Sequence, residues 1–403
     1  MTTIAEPESQ SFRPLEGLVG VTLGDAAAGH MACSFLSDLG VEIIRIEDKD
    51  VGDTARDRPP YKNDASLSWP IITRSSKSAT CNLSNPRAIP LLQRLMQRAD
   101  VVCESMGAGV LEDWGLGPDG FEPRLVMLRI SGYGQDGPYR DFPADDLTAS
   151  AYSGLLDLTG HRGGPPQALG TALTEHLCGA FGAQAAIAAL YGRLEGGRGA
   201  TIDAPLYGGA LRITEWAIPS ADRLGVERER QGNFSTNAAP LGVYLSRDEE
   251  FVTLVGGSDA NFRRLTKAMH EPEMASNPRF DTPSKRAANA DELNSHVQEW
   301  AISLDIDAIE ELCHEHGVPC GRVYDASDIL ADQHFRDRGD LTSFEDHDVG
   351  RLVQSAAYPR FVDHPLPKIS RSSAVGEDNE YVWCELAGFS STEYETYQSN
   401  GLI

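Results

Sequence analysis

The sequence is poor in positive charge: 35 Lys and Arg stand against 60 Asp and Glu, a formal net charge of -25. Such a chain repels nucleic acid and anionic lipid, whose binding is driven by cationic patches, so neither is an expected partner. An anionic small ligand would have to be met by a local cluster of cations. No run of eighteen apolar residues occurs, which argues against a membrane-spanning helix. The opening MTTIAEPESQSFRPLEG is polar and acidic, without the basic start and apolar core of a secretory signal, so a cytoplasmic location is expected. The seven cysteines show no paired framework and read as small buried apolar residues. Cys313, His314, His316 and Cys320 cluster around Gly317 but lack the spacing that fixes four ligands tetrahedrally, so no metal is expected. Nicotinamide and flavin motifs are also missing, and with them any expected resident cofactor. No internal repeat or low-complexity tract is present.

What remains is an ordinary globular composition, 41% hydrophobic and 24% charged, with 39 Gly and 23 Pro. At 403 residues the chain exceeds what one core usually organises, and two domains are the starting expectation. Residues 17 to 47 read as strand, helix, strand: GLVGVTLG is apolar, GHMACSFLSDLG has helical spacing and VEIIRIE is a β-branched run ending in acid. The alternation recurs with a helix at 86 to 98, then strands ADVVCES and RLVMLRIS. A parallel sheet covered on both faces follows, a doubly wound α/β domain. Between 169 and 197 a long helix keeps one flank thin with Gly179, Ala180, Gly182, Ala183, Ala186 and their neighbours, which permits close approach of another backbone. After Trp216 the chain turns polar, and from Ala238 a smaller α+β unit begins with LGVYLS and FVTLVG. The expected division is therefore 1–215 for the first part of the large domain, 216–237 as a linker, 238–325 as the small domain and 326–403 as a segment returning to the large one.

Several segments together resemble the family III CoA-transferases, the group that includes the formyl-CoA and carnitine CoA-transferases and the α-methylacyl-CoA racemases. FLSDLGVEIIRIEDKDVGDTARDRPP is similar to that family's L-A-D-L-G-A-x-V-I-K-V-E followed by G-D and Arg. RSSKSATCNLSNP, ADVVCESMGAGVLEDWGLGPD, RISGYGQDGPYRD, SGLLDLTG, AAIAALYGRLEGGRGATIDAPL, GVPCGRVYDASDILADQHFRDRG and the closing NGLI follow in the family's order and spacing. The resemblance runs almost end to end. It implies a Rossmann-like large domain built from both chain ends, a small inserted domain, and a homodimer whose two rings interlock. It also implies CoA transfer from an acyl-CoA to a carboxylic acid acceptor, with CoA as substrate and no permanent cofactor.

Moving CoA between acids needs a nucleophile that can be acylated and then re-form a thioester at comparable energy, and a carboxylate does this. The family places an Asp shortly before the small-residue helix, and counting back from AAIAALYGR puts Glu175 there. The extra methylene moves the carboxylate by about 1.5 Å. The plainer alternative is that Glu175 offsets the positive end of the helix dipole. Gly256 and Gly257, after FVTLV, resemble the family's glycine loop over the active site, whose N–H groups would bind developing negative charge. For CoA the resemblance points to Arg45 and Lys77, with Arg74 and Arg129 after them, and to Ala27 and Ala28 at the first strand-to-helix turn. That turn is where doubly wound sheets bind ligands. Departures gather at the same place: Asp25 and Ala27 replace polar or basic family residues, and SMGAG replaces N-F-x-P-G. They motivate a second reading, a non-catalytic partner subunit of a heteromeric CoA-transferase. A racemase is less favoured, because Asp145 stands where a racemase carries its catalytic His; the Asp145–Asp146 pair reads as a helix cap or solvated turn.

Overall fold

The computed structural model describes residues 12–235, 238–365 and 367–403. The acidic start of the chain and the last two positions of the expected linker lie outside them. The chain divides into two compact units. The first comprises the chain to Leu155, Leu169–Glu215 and Arg336–Ile403; the second comprises Leu156–Ala168 and Trp216–Phe335.

The first unit is built on a six-stranded sheet. In chain order its elements are β1 (Val19–Leu23), α1 (Ala27–Asp38), β2 (Glu42–Glu47), β3 (Ser76–Thr80), α2 (Ile89–Met96), β4 (Val101–Glu104), β5 (Val126–Ser131), α3 (Asp146–Tyr152), α4 (Leu173–Gly196) and β6 (Thr201–Pro205). The strands run in the order β3-β2-β1-β4-β5-β6, every pair parallel. This is the doubly wound order, which reverses direction between β1 and β4. Apolar clusters cover both faces. One packs α2 and the C-terminal Trp383 and Phe389 against the sheet; the other packs α1 and α4 against its opposite side.

The thin flank of α4 has a steric cause. A Cβ on Gly179 would lie 2.9 Å from the carbonyl oxygen of Ala28 and 2.9 Å from Cβ of Met31, and one on Gly182 would meet Leu128 at 3.0 Å. Helix α4 therefore seats directly on α1 and β5.

β3 carries too little apolar pattern, Ser-Lys-Ser-Ala-Thr, to read as a strand in sequence. Its outer edge is closed by the end of the chain. Ser373 and Asp378 donate backbone N–H groups to the carbonyls of Ser76 and Ser78, while the Asp378 and Asn379 side chains accept from the N–H groups of Ser78 and Thr80. This is how both ends of the chain come to share one sheet, and an edge that would otherwise invite foreign pairing is covered.

At the end of β2 the wholly buried carboxylate of Glu47 gathers the surrounding loops. Arg56 holds it by two hydrogen bonds of 2.6 and 2.8 Å, Ser78 donates at 2.6 Å, and the backbone N–H of Asp53 donates at 3.1 Å. Arg45 faces it at 3.4 Å, and both arginines also donate to the carbonyl of Ser373.

The second unit has a three-stranded antiparallel sheet, β7 (Leu241–Leu245), β8 (Phe251–Val255) and β9 (Cys320–Arg322), in the order β9-β8-β7. Helices α5 (Asp259–Ala268), α6 (Ala290–Ala301) and α7 (Ile306–His316) supply the rest of its core. Within the stretch read from sequence as linker, Ala217–Leu224 is helical and stops at Gly225, whose φ of 63° suits a left-handed helix end. Among the described residues no helix is long and apolar enough to cross a membrane, and no three His, Cys, Asp or Glu side chains gather as metal ligands.

Burial pushes the Glu47 carboxyl up, but hydrogen bonds from Arg56 and the charge of Arg45 outweigh this and bring it down to about 2. An unfolded glutamate titrates near 4.5, so the stabilisation is complete above that pH and is lost as pH falls toward 2. Glu47→Gln leaves the buried guanidinium of Arg45 and the half-buried one of Arg56 without their carboxylate and is expected to cost about 3–5 kcal/mol. Denaturant unfolding at pH 7 and pH 3 checks both points: the difference between the two proteins should shrink at the lower pH.

Candidate active site

A doubly wound sheet binds its ligands beyond the carboxyl ends of the strands, where the order reverses. Here that point lies between the loops following β1 and β4. They touch: a Cβ on Gly24, whose φ is 92°, would fall 2.6 Å from Oγ of Ser105 and 2.8 Å from its carbonyl carbon, so only glycine fits. The Ser105 hydroxyl accepts from the N–H of Ala26 at 3.3 Å. A cavity of about 450 Å³ opens beside them, lined among others by Asp25, Ala26, Gly107, Ser131 and Arg140.

Helix α1 starts at this cavity with no side-chain cap. Ala27 and Ala28 form its first turn with both methyls buried, so what they can present to a ligand is backbone N–H, at the helix end that favours anions.

Glu175 is the third residue of α4. That helix is also uncapped by its own N-cap residue, Ala172; the cap comes from α3 instead. One carboxylate oxygen of Asp146 accepts from the N–H of Thr174 at 2.8 Å, its hydroxyl at 2.6 Å and the N–H of Glu175 at 3.3 Å. Asp145 caps its own helix, α3, in a reciprocal pair with Thr148. The two acids thus have separate tasks: one starts α3, and the other ties α3 to the start of α4.

The Glu175 side chain is 14% exposed and that of Arg58 38%, with 4.0 Å between carboxylate and guanidinium. Arg58 also donates to the carbonyl of Asp25 at 3.4 Å, which brings Glu175, Arg58 and the β1 loop to one place. Burial raises the Glu175 carboxyl above its ordinary value, Arg58 opposes this, and the negative charge of Asp146 adds to it. A half-buried carboxylate whose ionisation is resisted, beside a cation bonded to the loop that lines the cavity, has the character of a nucleophile.

The cations singled out from sequence lie elsewhere. Arg45 is interior: it donates to Ser76 Oγ at 3.0 Å and to the Ser373 carbonyl, and lies 4.7 Å over the Trp69 ring, leaving no face for a phosphate. Arg74 is buried in a pair with Asp38, the last residue of α1, and donates to Ser355. Lys77 pairs with Glu42 at 2.7 Å. Glu42 opens β2, so Lys77 sits at the amino edge of the sheet, opposite the switch point. Arg129 is buried between Glu104 and Glu112, at 2.7, 2.6 and 2.9 Å. The other oxygen of Glu104 accepts from the N–H of Met106, which ties this pair to the β4 loop.

Among the described residues, Arg140 lines the switch-point cavity and Arg58 bonds to the β1 loop beside it, neither singled out from sequence although both fall within the family-like segments GDTARDRPP and GYGQDGPYRD. Gly256 and Gly257 belong to the second unit. There the turn is fixed: the N–H of Gly256 donates to Pro240 at 2.7 Å, and the carbonyl of Gly257 accepts from the buried Arg286 at 3.0 Å. A Cβ on Gly256 would meet Pro240 at 2.7 Å and one on Gly257 would meet Ala238 at 2.8 Å.

Comparison with known proteins adds four findings. The pattern of CoA-transferase family III matches residues 15–379. Over 396 residues the chain is 33% identical to a succinyl-CoA–D-citramalate CoA-transferase of Chloroflexus aurantiacus, covering 97% of this chain and 98% of that one. It is also 33% identical to a succinyl-CoA–L-malate CoA-transferase alpha subunit from the same organism, covering 98% and 94%. Among solved structures, a CAIB/BAIF family protein from Brucella suis superposes with a TM-score of 0.82 at 28% identity, covering 94% of this chain and all of that one.

Asp146→Ala removes the cap on α4 and is expected to cost about 1 kcal/mol, measured by denaturant unfolding. Asp146→Asn keeps an acceptor for the Thr174 N–H but removes the negative charge. The Glu175 carboxyl should then titrate lower than in the wild-type protein, read from the acid limb of its reactivity or by carboxyl NMR.

Proposed function

The chain belongs to CoA-transferase family III and transfers CoA between an acyl thioester and a carboxylic acid; from that premise we propose that Glu175 carries the CoA between the two half-reactions. Its carboxylate attacks the acyl-CoA carbonyl and expels the CoA thiolate, leaving a mixed anhydride. The thiolate then attacks the Glu175 side of the anhydride, giving an enzyme-bound CoA thioester and releasing the donor acid as a carboxylate. An acceptor carboxylate repeats both steps in reverse. No net bond energy is lost, because each thioester is exchanged for another through an anhydride.

The observation that carries this reading is the setting of Glu175 itself: first turn of α4, largely buried, ionisation resisted by its surroundings, and paired with Arg58, which bonds to the β1 loop at the switch point. Resisted ionisation makes a carboxylate a better nucleophile once it is ionised. The replacement of the family Asp by Glu keeps the functional group, and the buried start of α4 holds the longer side chain. CoA enters as substrate, with its anionic end met by Arg140 and by the N–H groups opening α1. Succinyl-CoA is the first donor to try, since both Chloroflexus relatives carry it in their names. For assembly we propose the interlocked homodimer of the family. A pairing with a paralogous subunit is the second reading, favoured by the relative named as an alpha subunit.

Incubation with succinyl-, acetyl- and formyl-CoA followed by mass spectrometry should reveal a CoA adduct on the peptide containing Glu175, converted by hydroxylamine to a hydroxamate. Glu175→Ala should abolish the adduct and lower turnover by roughly three orders of magnitude or more. An adduct on another residue, or full turnover by the Ala variant, would overturn the assignment.

A further inference from the structure

The Arg58–Glu175 pair has a property that follows from the charge it carries in each state. While Glu175 is ionised, the guanidinium is compensated across 4.0 Å. Once Glu175 is bound to CoA as a thioester it is neutral, and Arg58 loses its counter-charge. Among the described residues its other polar contact is the uncharged Asp25 carbonyl at 3.4 Å. With more than a third of its side chain exposed, the guanidinium keeps most of its five N–H donors for a ligand. The nearby acids Asp25, Asp145 and Asp146 are engaged elsewhere, and Glu175 is the carboxylate paired with Arg58 among the described residues. Asp25 accepts from Thr54, Asp145 caps α3 and Asp146 caps α4.

From this we infer that Arg58 is the binding residue for the free carboxylate that exchanges at Glu175: it holds the departing donor acid and then the entering acceptor acid, and it does so only while Glu175 is covalently occupied. The ligand class is a carboxylate anion, bound through the planar two-donor geometry that guanidinium and carboxylate share. The chemistry balances without another reactant. The first half-reaction neutralises Glu175 as it frees the donor acid, and the second neutralises the acceptor acid as it frees Glu175, so a single cation serves both in turn. In a chain with a net charge of -25 the free acid would otherwise meet a repulsive field at this point. The arrangement also sets an order, because an acid arriving before the thioester forms finds Arg58 already paired.

This inference rests on Glu175 being the CoA carrier, and two experiments separate the fate of one from that of the other. In the first, Glu175→Gln supplies the neutral state without any acyl donor. Isothermal titration with acetate, oxalate and succinate should show at least one acid binding about tenfold or more tighter than to the wild-type protein. The double variant Glu175→Gln, Arg58→Gln should lose that gain. If no acid binds tighter to Glu175→Gln, or if the double variant binds equally well, the inference is overturned, whatever mass spectrometry reports for Glu175.

In the second, steady-state turnover is measured with the donor that gives the most hydroxamate. Arg58→Gln should raise KM for the acceptor acid about tenfold while KM for the acyl-CoA stays within about twofold, and Arg58→Lys should fall between. Equal changes in both KM values, or a change in kcat alone, would assign Arg58 to the shaping of the site rather than to the acid. Absence of any hydroxamate on Glu175 would instead remove the carrier assignment on which the inference stands.

Discussion

The buried charge of Glu47 is the constraint on which the first unit depends. A carboxylate at the end of a central strand, removed from water, is tolerable only if its lone pairs are filled, and here five contacts from four residues converge to do so. The convergence fixes more than a strand end. Through Asp53 and Arg56 it fixes the short helical turn Thr54–Asp57, and hence the direction in which Arg58 leaves it. Through Ser78 and the carbonyl of Ser373 it binds β3 and the returning C-terminal segment to the same point. The cation beside Glu175 is thus held by a buried network at the end of β2, reached through three residues of turn.

Glu175 is held from the other side by a different device. The glycines of α4 let it lie against α1 closely enough that its first turn reaches the switch point, and the carboxylate of Asp146 fixes where that turn begins. Neither contact involves the Glu175 carboxylate itself. Backbone packing sets the position of the group, and the partial burial that comes with it sets its basicity. The two properties share one cause.

Much of this was legible in the sequence. The β-branched runs gave β1, β2, β4 and β5, the helical spacings gave α1 and α4, and the small residues of α4 announced a close helix contact that the structure contains. β3 escaped because its residues are small and polar; it exists through its pairing with β2 and the sealing of its edge, both long-range. The surroundings of the cations were hidden for a related reason. Arg45, Arg74, Arg129 and Lys77 all stand in or beside strands, where sequence cannot distinguish a guanidinium turned inward to a carboxylate from one turned outward to a phosphate, nor one edge of a sheet from the other. Asp145 and Asp146 read as a cap, and Asp145 is one for its own helix. That Asp146 caps a helix through a residue 28 positions later has no local signature.

The closure of β3 by the end of the chain also has a meaning in time. Ser78 and its partner Asp378 are 300 residues apart. At a synthesis rate of about 5–20 residues per second, roughly 15–60 s separate the appearance of that strand from the appearance of the segment that completes it. Throughout that interval the outer edge of the sheet lacks its cover, and the Glu47 site lacks the Ser373 carbonyl that both its arginines use. The second unit is synthesised in full before the first can be finished. The nascent chain therefore carries an open sheet edge for most of its synthesis, and it is in this interval that chaperone capture or mispairing with a neighbouring chain has its opportunity.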